Sequence, residues 1–250
     1  LIYGHHLTWI AMQKSQPEGA PETLVYEKSG WCRFESAVGS LNRQRTFYLD
    51  ISSVVNHDLC GFEDVVLHCC SATKRPVPVS PELMHEELAE TKVTFTNGGT
   101  DRDKVRTMYA DIATAVFSQA EEVNFNNEHW STDEIHRIVQ ILPCYVAAKN
   151  VWLWGTDLGE ANAALFAEAF RKMPALSTIM IDCLTFGPNT GNLLAEIIPS
   201  GLQRFQLSNR GGRGLSRILT RLDLEIFVEA LSKWISQESA PKSLNLSCVD

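Results

Sequence analysis

Two stretches lying 28 residues apart decide the fold: Asn150-Val151-Trp152-Leu153-Trp154-Gly155-Thr156-Asp157-Leu158-Gly159 and Thr178-Ile179-Met180-Ile181-Asp182-Cys183-Leu184-Thr185-Phe186-Gly187. Each opens on an alternation in which every second residue is aliphatic, the pattern of a strand with one buried face. The offset that carries Val151 and Leu153 onto Ile179 and Ile181 also carries Val123 and Phe125 onto Val151 and Leu153. Trp130, Leu158 and Phe186 align at the same offset, as do Gly159 with Gly187, Leu165 with Leu193, and Ala167-Glu168 with Ala195-Glu196. A shorter step of 26 adds Phe205 and Leu207, and after an insertion Leu244 and Leu246 begin another unit.

Helical periodicity follows the strands, over Asn162 to Lys172 and again over Asn189 to Ile198. A strand, a turn and an amphipathic helix recurring near every 28 residues is the signature of stacked β–α units, none of which can bury its apolar face alone. The segment Leu176-x-x-Ile179-x-Ile181, then Phe186-Gly187 and Leu193-Leu194-Ala195, resembles the leucine-rich repeats of the ribonuclease-inhibitor type. The resemblance covers residues 120–250 and implies a β–α solenoid that binds a protein partner on its concave face. The sequence departs from the family's pattern at Leu184, which stands where the family usually has a turn asparagine, and at Gly211-Gly212-Arg213-Gly214, an insertion in the unit that starts at Leu202. The chain stops at Asp250 just after the last strand, without a polar terminal cap, and is expected to be a fragment.

If Val151, Leu153, Ile179 and Ile181 face inward, strand alternation sends their neighbours outward. Asn124 and Asn126, Trp152 and Trp154, Met180 and Asp182, and Gln206 and Ser208 then share one face. Trp152, Trp154, Met180, Asp182 and Gln206 are the candidate partner-binding residues, because adjacent tryptophans and a methionine make an apolar patch of the kind that binding hot spots use. The competing reading is that other parts of the chain cover this patch.

The N-terminal third reads as a smaller α/β unit over residues 1–73. Leu7 to Met12 is expected to be a strand, Ser29 to cap a helix whose apolar residues are Trp31, Phe34, Ala37, Val38 and Leu41, and Arg45–Val55 and Asp64–Cys70 to be two further strands. Residues 74–119 read as a linker with helices. Two prolines in Lys74–Ser80 exclude regular helix there, Ser80-Pro81 starts a short helix, and Thr100-x-x-Asp103 reads as a capping box for a helix to about Ser118 with the stripe Val105, Met108, Ile112 and Val116.

On the first helix, Ser29-Gly30-Trp31-Cys32-Arg33-Phe34-Glu35 resembles the TIR-domain signature S-x-W-C-x-x-E. The resemblance implies a partial TIR-like unit whose opening strand and loop precede Leu1. It places the glutamate of the family's NAD-cleaving members at Glu35. The joint layout is similar to uncharacterised proteins of unicellular algae that combine such a unit with leucine-rich repeats. At the border of the apolar stripe, Glu35 suits either a partly desolvated catalytic carboxylate or a structural one.

Composition narrows the choices. With 30 acidic and 22 basic side chains the net charge is −8, which disfavours nucleic acid as a partner. The seven cysteines are odd in number and scattered in apolar runs, unlike a secreted disulfide framework, so a cytoplasmic protein with reduced thiols is expected. No run is long and apolar enough to insert into a membrane. His57-x-x-Cys60 and His68-Cys69-Cys70 hold metal-capable side chains, but on a strand Cys69 points away from His68 and Cys70, so neither metal nor cofactor is expected. Arg210 to Gly214, with Arg217 and Arg221, reads as a solvated basic insertion, and no phosphate loop, nucleophile elbow or zinc-protease helix occurs. The sequence therefore points to a binding or scaffold module, with a glycohydrolase using Glu35 and a structural subunit of a large assembly as alternatives.

Overall fold

The computed structural model describes residues 10–12, 19, 26–41, 48–51, 61–71, 77–89, 93–126, 130–186, 201–209, 221–236 and 242–248. The chain is mixed α/β and divides into two compact units, Leu1–Val116 and Phe117–Asp250.

In the first unit, strand β1 (Ile10–Met12) pairs in parallel with β2 (Tyr48–Asp50), Ile10 opposite Tyr48 and Met12 opposite Asp50. Helix α1 (Gly30–Ser40) falls between them in sequence, as a parallel pair requires of its crossover. Ser29 caps it in extended backbone, its side chain accepting from the Cys32 N–H, and Phe34, Ala37, Val38 and Leu41 are buried along one stripe. Residues 7–9 of the expected first strand, and all of the expected second beyond Tyr48–Ile51, lie outside the described residues.

The third expected strand, Asp64–Cys70, is a helix: α2 runs Phe62–Ser71. Two adjacent valines and two cysteines suggested a strand, yet Glu63 and Asp64 sit in the first turn and His68 in the last, the polarity that suits a helix dipole. Gly61 supplies the first carbonyl, bonded by the Val65 N–H at 3.3 Å. Local charge placement and tertiary context outweigh a β propensity worth only a fraction of a kcal/mol, about 1 at most per residue.

Helix α3 (Pro81–Glu87) forms as its sequence predicts, with Ser80 accepting from the Leu83 N–H at 3.1 Å and proline in the first turn. The described end of the expected linker is not a free tether. Val77 and Val79 are buried, and the Tyr109 hydroxyl donates to the Val79 carbonyl at 2.6 Å. Helix α4 spans Gly99–Gln119, so Thr100 lies inside its first turn and not at the cap. Gly98, at φ 59°, stands before it and its carbonyl accepts the Arg102 N–H at 3.3 Å, so the helix starts two residues ahead of the start that the expected capping box implies. The buried stripe is Arg102, Val105, Tyr109, Ile112, Ala113 and Phe117, while Met108 and Val116 are half-buried at its flank.

The second unit carries a five-stranded, all-parallel sheet in sequential order: β3 (Glu122–Asn126), β4 (Asn150–Leu158), β5 (Thr178–Phe186), β6 (Arg204–Asn209) and β7 (Ser243–Cys248). Val123, Val151, Ile179, Phe205 and Leu244 form one row across it, and Phe125, Leu153, Ile181, Leu207 and Leu246 another. From β3 to β6 these are the pairings that the 28- and 26-residue offsets predict, and β7 joins after the longer insertion. The eight residues of the first four strands are buried to 4% exposure or less, whereas Leu244 on the terminal strand is 37% exposed.

Helices separate the strands where they are described: α5 (Thr132–Ile141) after β3, α6 (Glu160–Arg171) after β4 and α7 (Arg221–Ser236) before β7. The α5 start carries a capping box from Ser131 and Glu134, α6 begins two residues ahead of its expected start, and α5 and α6 touch one another. The expected helix Asn189–Ile198 and the Gly211–Gly214 insertion lie outside the described residues. Strand β5 runs through Leu184 to Phe186, and β4 likewise runs nine residues. Among the described residues no helix is long and apolar enough to cross a membrane.

Candidate functional site

The strands that send one set of side chains into the core present the other set on the opposite face of the sheet. Two rows cross that face: Asn124, Trp152, Met180, Gln206 and Asn245, then Trp154, Asp182 and Ser208. Asn124, Trp152, Trp154, Met180, Gln206 and Ser208 are half-buried, which sets them apart from their core neighbours in the same strands. Asp182 departs from the expectation of an open position, being 6% exposed in the middle of its row between Trp154 and Ser208. The five candidate binding residues thus stand together on β4, β5 and β6, four of them partly open to solvent.

Within this face, Trp152 Nε1 and Asn124 Oδ1 are buried atoms without a hydrogen-bond partner among the described residues. They belong to register neighbours, Asn124 opposite Trp152. An unmet buried donor or acceptor costs about 1–3 kcal/mol, so the row holds polar capacity that the described residues leave unused.

The rim of the face is shaped by an irregularity in β4. Pairing with β5 shifts register between Trp154 and Thr156, and Gly155 occupies φ 68°, the conformation of a bulge residue. A second shift, between Thr156 and Asp157, restores the original offset so that Leu158 again pairs with Phe186. Trp130 Nε1 donates to the Trp154 carbonyl at 3.0 Å, and the Trp130 ring lies edge-on to Phe125 with centroids 6.2 Å apart. Alignment of Trp130 with Leu158 gave no hint of this bond. The lone glycine inside Trp152-Leu153-Trp154-Gly155-Thr156 was the available signal, since a glycine within a strand pattern marks a bulge.

In the first unit the S-x-W-C-x-x-E residues are engaged in holding elements together. Ser29 caps α1, and its neighbourhood is clasped by Gly30 N–H donating to the Thr94 carbonyl and Thr94 N–H donating to the Lys28 carbonyl, both at 2.9 Å. Trp31 Nε1 donates to Asp101 Oδ2 at 3.2 Å, and Arg33 pairs with Glu87 at 3.3 Å. Phe95 lies over Gly30 on one side and under the Arg102 guanidinium, 5.5 Å from its ring centre, on the other. Glu35 is exposed on α1, so the partly desolvated setting expected at the border of the stripe is not its environment.

Set beside protein-family models, curated proteins and solved structures, the chain finds no match. The candidate site rests on its own geometry. Among the described residues no three His, Cys, Asp or Glu side chains are gathered in a metal-binding group. His68, Cys69 and Cys70 lie on α2, where successive residues turn by about 100°, and the strand-face argument about them no longer applies. His57, Cys60 and the arginine cluster from Arg210 to Arg217 lie outside the described residues.

Proposed function

We propose that this chain is a protein-recognition module built on leucine-rich-repeat-like β–α units, and that its partner docks on the sheet face carrying Trp152, Trp154, Met180 and Gln206. The observation that carries the proposal is the contrast within single strands: Val151 and Leu153 are fully buried while Trp152 and Trp154, alternating with them, remain partly open. Large aromatic side chains left partly bare on a regular surface are the commonest anchors of protein interfaces. The sequential, all-parallel strand order and the contact of α5 with α6 support a repeat reading, because stacked β–α units place each strand beside its successor and each helix beside the next.

The chemistry of the face favours a peptide surface as the occupant. Half-buried indole and amide side chains at Trp152, Trp154, Asn124 and Gln206 combine apolar area with hydrogen-bonding groups, as contact with a peptide surface requires. Cys32 and Cys144 are not joined in disulfides, in keeping with a reducing, cytoplasmic setting. The signature around Ser29 supports a structural use of that motif, since Ser29, Trp31 and Arg33 are committed to contacts within the unit.

The test is differential capture: the wild-type chain and a Trp152→Ala, Trp154→Ala double variant are immobilised, and each captured partner is then titrated against both. The expected result is at least one partner whose affinity falls about thirtyfold or more, as loss of a hot-spot residue worth about 2 kcal/mol implies. Equal affinity for every partner removes the face from consideration.

A further inference from the structure

We infer that Trp130 is a positioning residue of the docking face: its indole N–H holds the Gly155 bulge and, through the bulge, fixes the direction of Trp154. The inference rests on the docking reading of that face, and is tested separately from it.

Strand β3 spans Glu122–Asn126 and β4 spans Asn150–Leu158, and the described pairing between them runs to Asn126 opposite Trp154. At that residue β4 also breaks register with β5. A bulge takes backbone groups out of the ladder, and a carbonyl left there without a donor is costly. Trp130 supplies the donor. Indole nitrogen can only donate, and here it meets the Trp154 carbonyl at 3.0 Å, so the side chain bonds the carbonyl that stands at the edge of the bulge.

Trp130 is itself fixed. It is 9% exposed and packs edge-on to Phe125, which belongs to the buried face of β3. The peptide plane joining Trp154 to Gly155 is therefore constrained at both ends, by the indole bond to its carbonyl and by a φ of 68° that residues other than glycine rarely adopt. Because that carbonyl is bonded to the Trp154 α-carbon, locking the plane sets the vector along which the Trp154 side chain leaves the strand. Trp130 contributes nothing to the open surface directly, and acts through its neighbour 24 residues away.

The test uses the full chain labelled with 5-fluorotryptophan and followed by fluorine NMR, each resonance assigned by single Trp→Phe replacement. Trp130→Phe keeps an aromatic ring against Phe125 and removes the donor. The Trp154 resonance is expected to move or broaden while those of Trp31 and Trp234 stay, and Gly155→Ala is expected to move the same resonance the same way. In the wild type the Trp130 indole proton should exchange with solvent about tenfold slower, or more, than that of free tryptophan, as a formed hydrogen bond requires. That last measurement needs no variant to fold. A Trp154 resonance unchanged in Trp130→Phe, or a Trp130 indole proton exchanging as fast as free tryptophan, overturns the inference and leaves the docking reading standing. A moved resonance combined with partner affinities indifferent to Trp152→Ala, Trp154→Ala supports the positioning role and refutes docking.

Discussion

Gly30 and Phe95 meet where no side chain at position 30 has room: a β-carbon built on Gly30 falls 2.0 Å from the Phe95 ring Cζ and 2.3 Å from Cε1. The contact lies at the start of α1, beside the backbone bonds that join Lys28 and Gly30 to Thr94. Gly30→Ala should therefore destabilise the first unit by about 1–3 kcal/mol through overpacking, although alanine is the better helix former. Denaturant unfolding measures the loss, and Phe95→Leu in the Gly30→Ala background should recover part of it. A neutral Gly30→Ala would show that the ring is free to leave.

Trp31 and Asp101 bridge 70 residues of sequence through one partly buried bond. A double-mutant cycle with Trp31→Phe and Asp101→Ala should return a coupling of about 0.5–1.5 kcal/mol, the net value of a single hydrogen bond. Strict additivity would mean that the bond contributes nothing to stability.

Ile179 and Leu244 stand in one row of the sheet and differ only in what covers them. Ile179 is fully buried and Leu244 is 37% exposed. Ile179→Ala should cost about 2–5 kcal/mol and Leu244→Ala about 1 kcal/mol or less. Similar losses at both positions would contradict the burial gradient along the row.

Glu168 and Glu229 each bond a lysine one turn on, Lys172 at 2.6 Å and Lys233 at 2.7 Å. Those bonds, with the lysine charge, hold both exposed carboxyls below their ordinary value of 4.5. A depressed folded-state value stabilises above the unfolded value, and the contribution disappears as pH falls through the folded one. The urea midpoints of wild type and of Glu168→Gln, Glu229→Gln should differ slightly at neutral pH and draw together as pH falls below 4.5 and through the lowered folded-state values. Adding salt to about 0.5 M should shrink the neutral-pH gap, and a gap that widens on acidification would contradict the assignment.

The sheet register was legible because its rows repeat the sequence offset, so that Val123, Val151 and Ile179 align in space as they do in the chain. Helix α1 was legible for a local reason: Ser29 caps it, and the apolar spacing after it matches one face. Asp64–Cys70 was misread because adjacent valines satisfy strand and helix alike, and the deciding features were the acidic first turn and the preceding glycine. The extent of β4 and β5 was hidden by bulges, which break the alternation that a strand reading follows. On the candidate face, alternation placed Trp152, Trp154, Met180 and Gln206 correctly, whereas it could not tell that Asp182 is enclosed. Burial at a sheet face depends on neighbours from three strands, and spacing along one strand does not encode them.

The sequential strand order has a consequence for how the chain tolerates added length. Paired strands β5 and β6 meet at Thr178 and Arg204, while β6 and β7 meet at Arg204 and Ser243. The loops to be closed thus grow from 26 to 39 residues (204 − 178 against 243 − 204) at a logarithmic entropy cost of only about 0.4 kcal/mol. On that scaling a longer connection between β6 and β7 adds little closure cost, and the rows Phe205–Leu244 and Leu207–Leu246 pair across it as directly as their neighbours do.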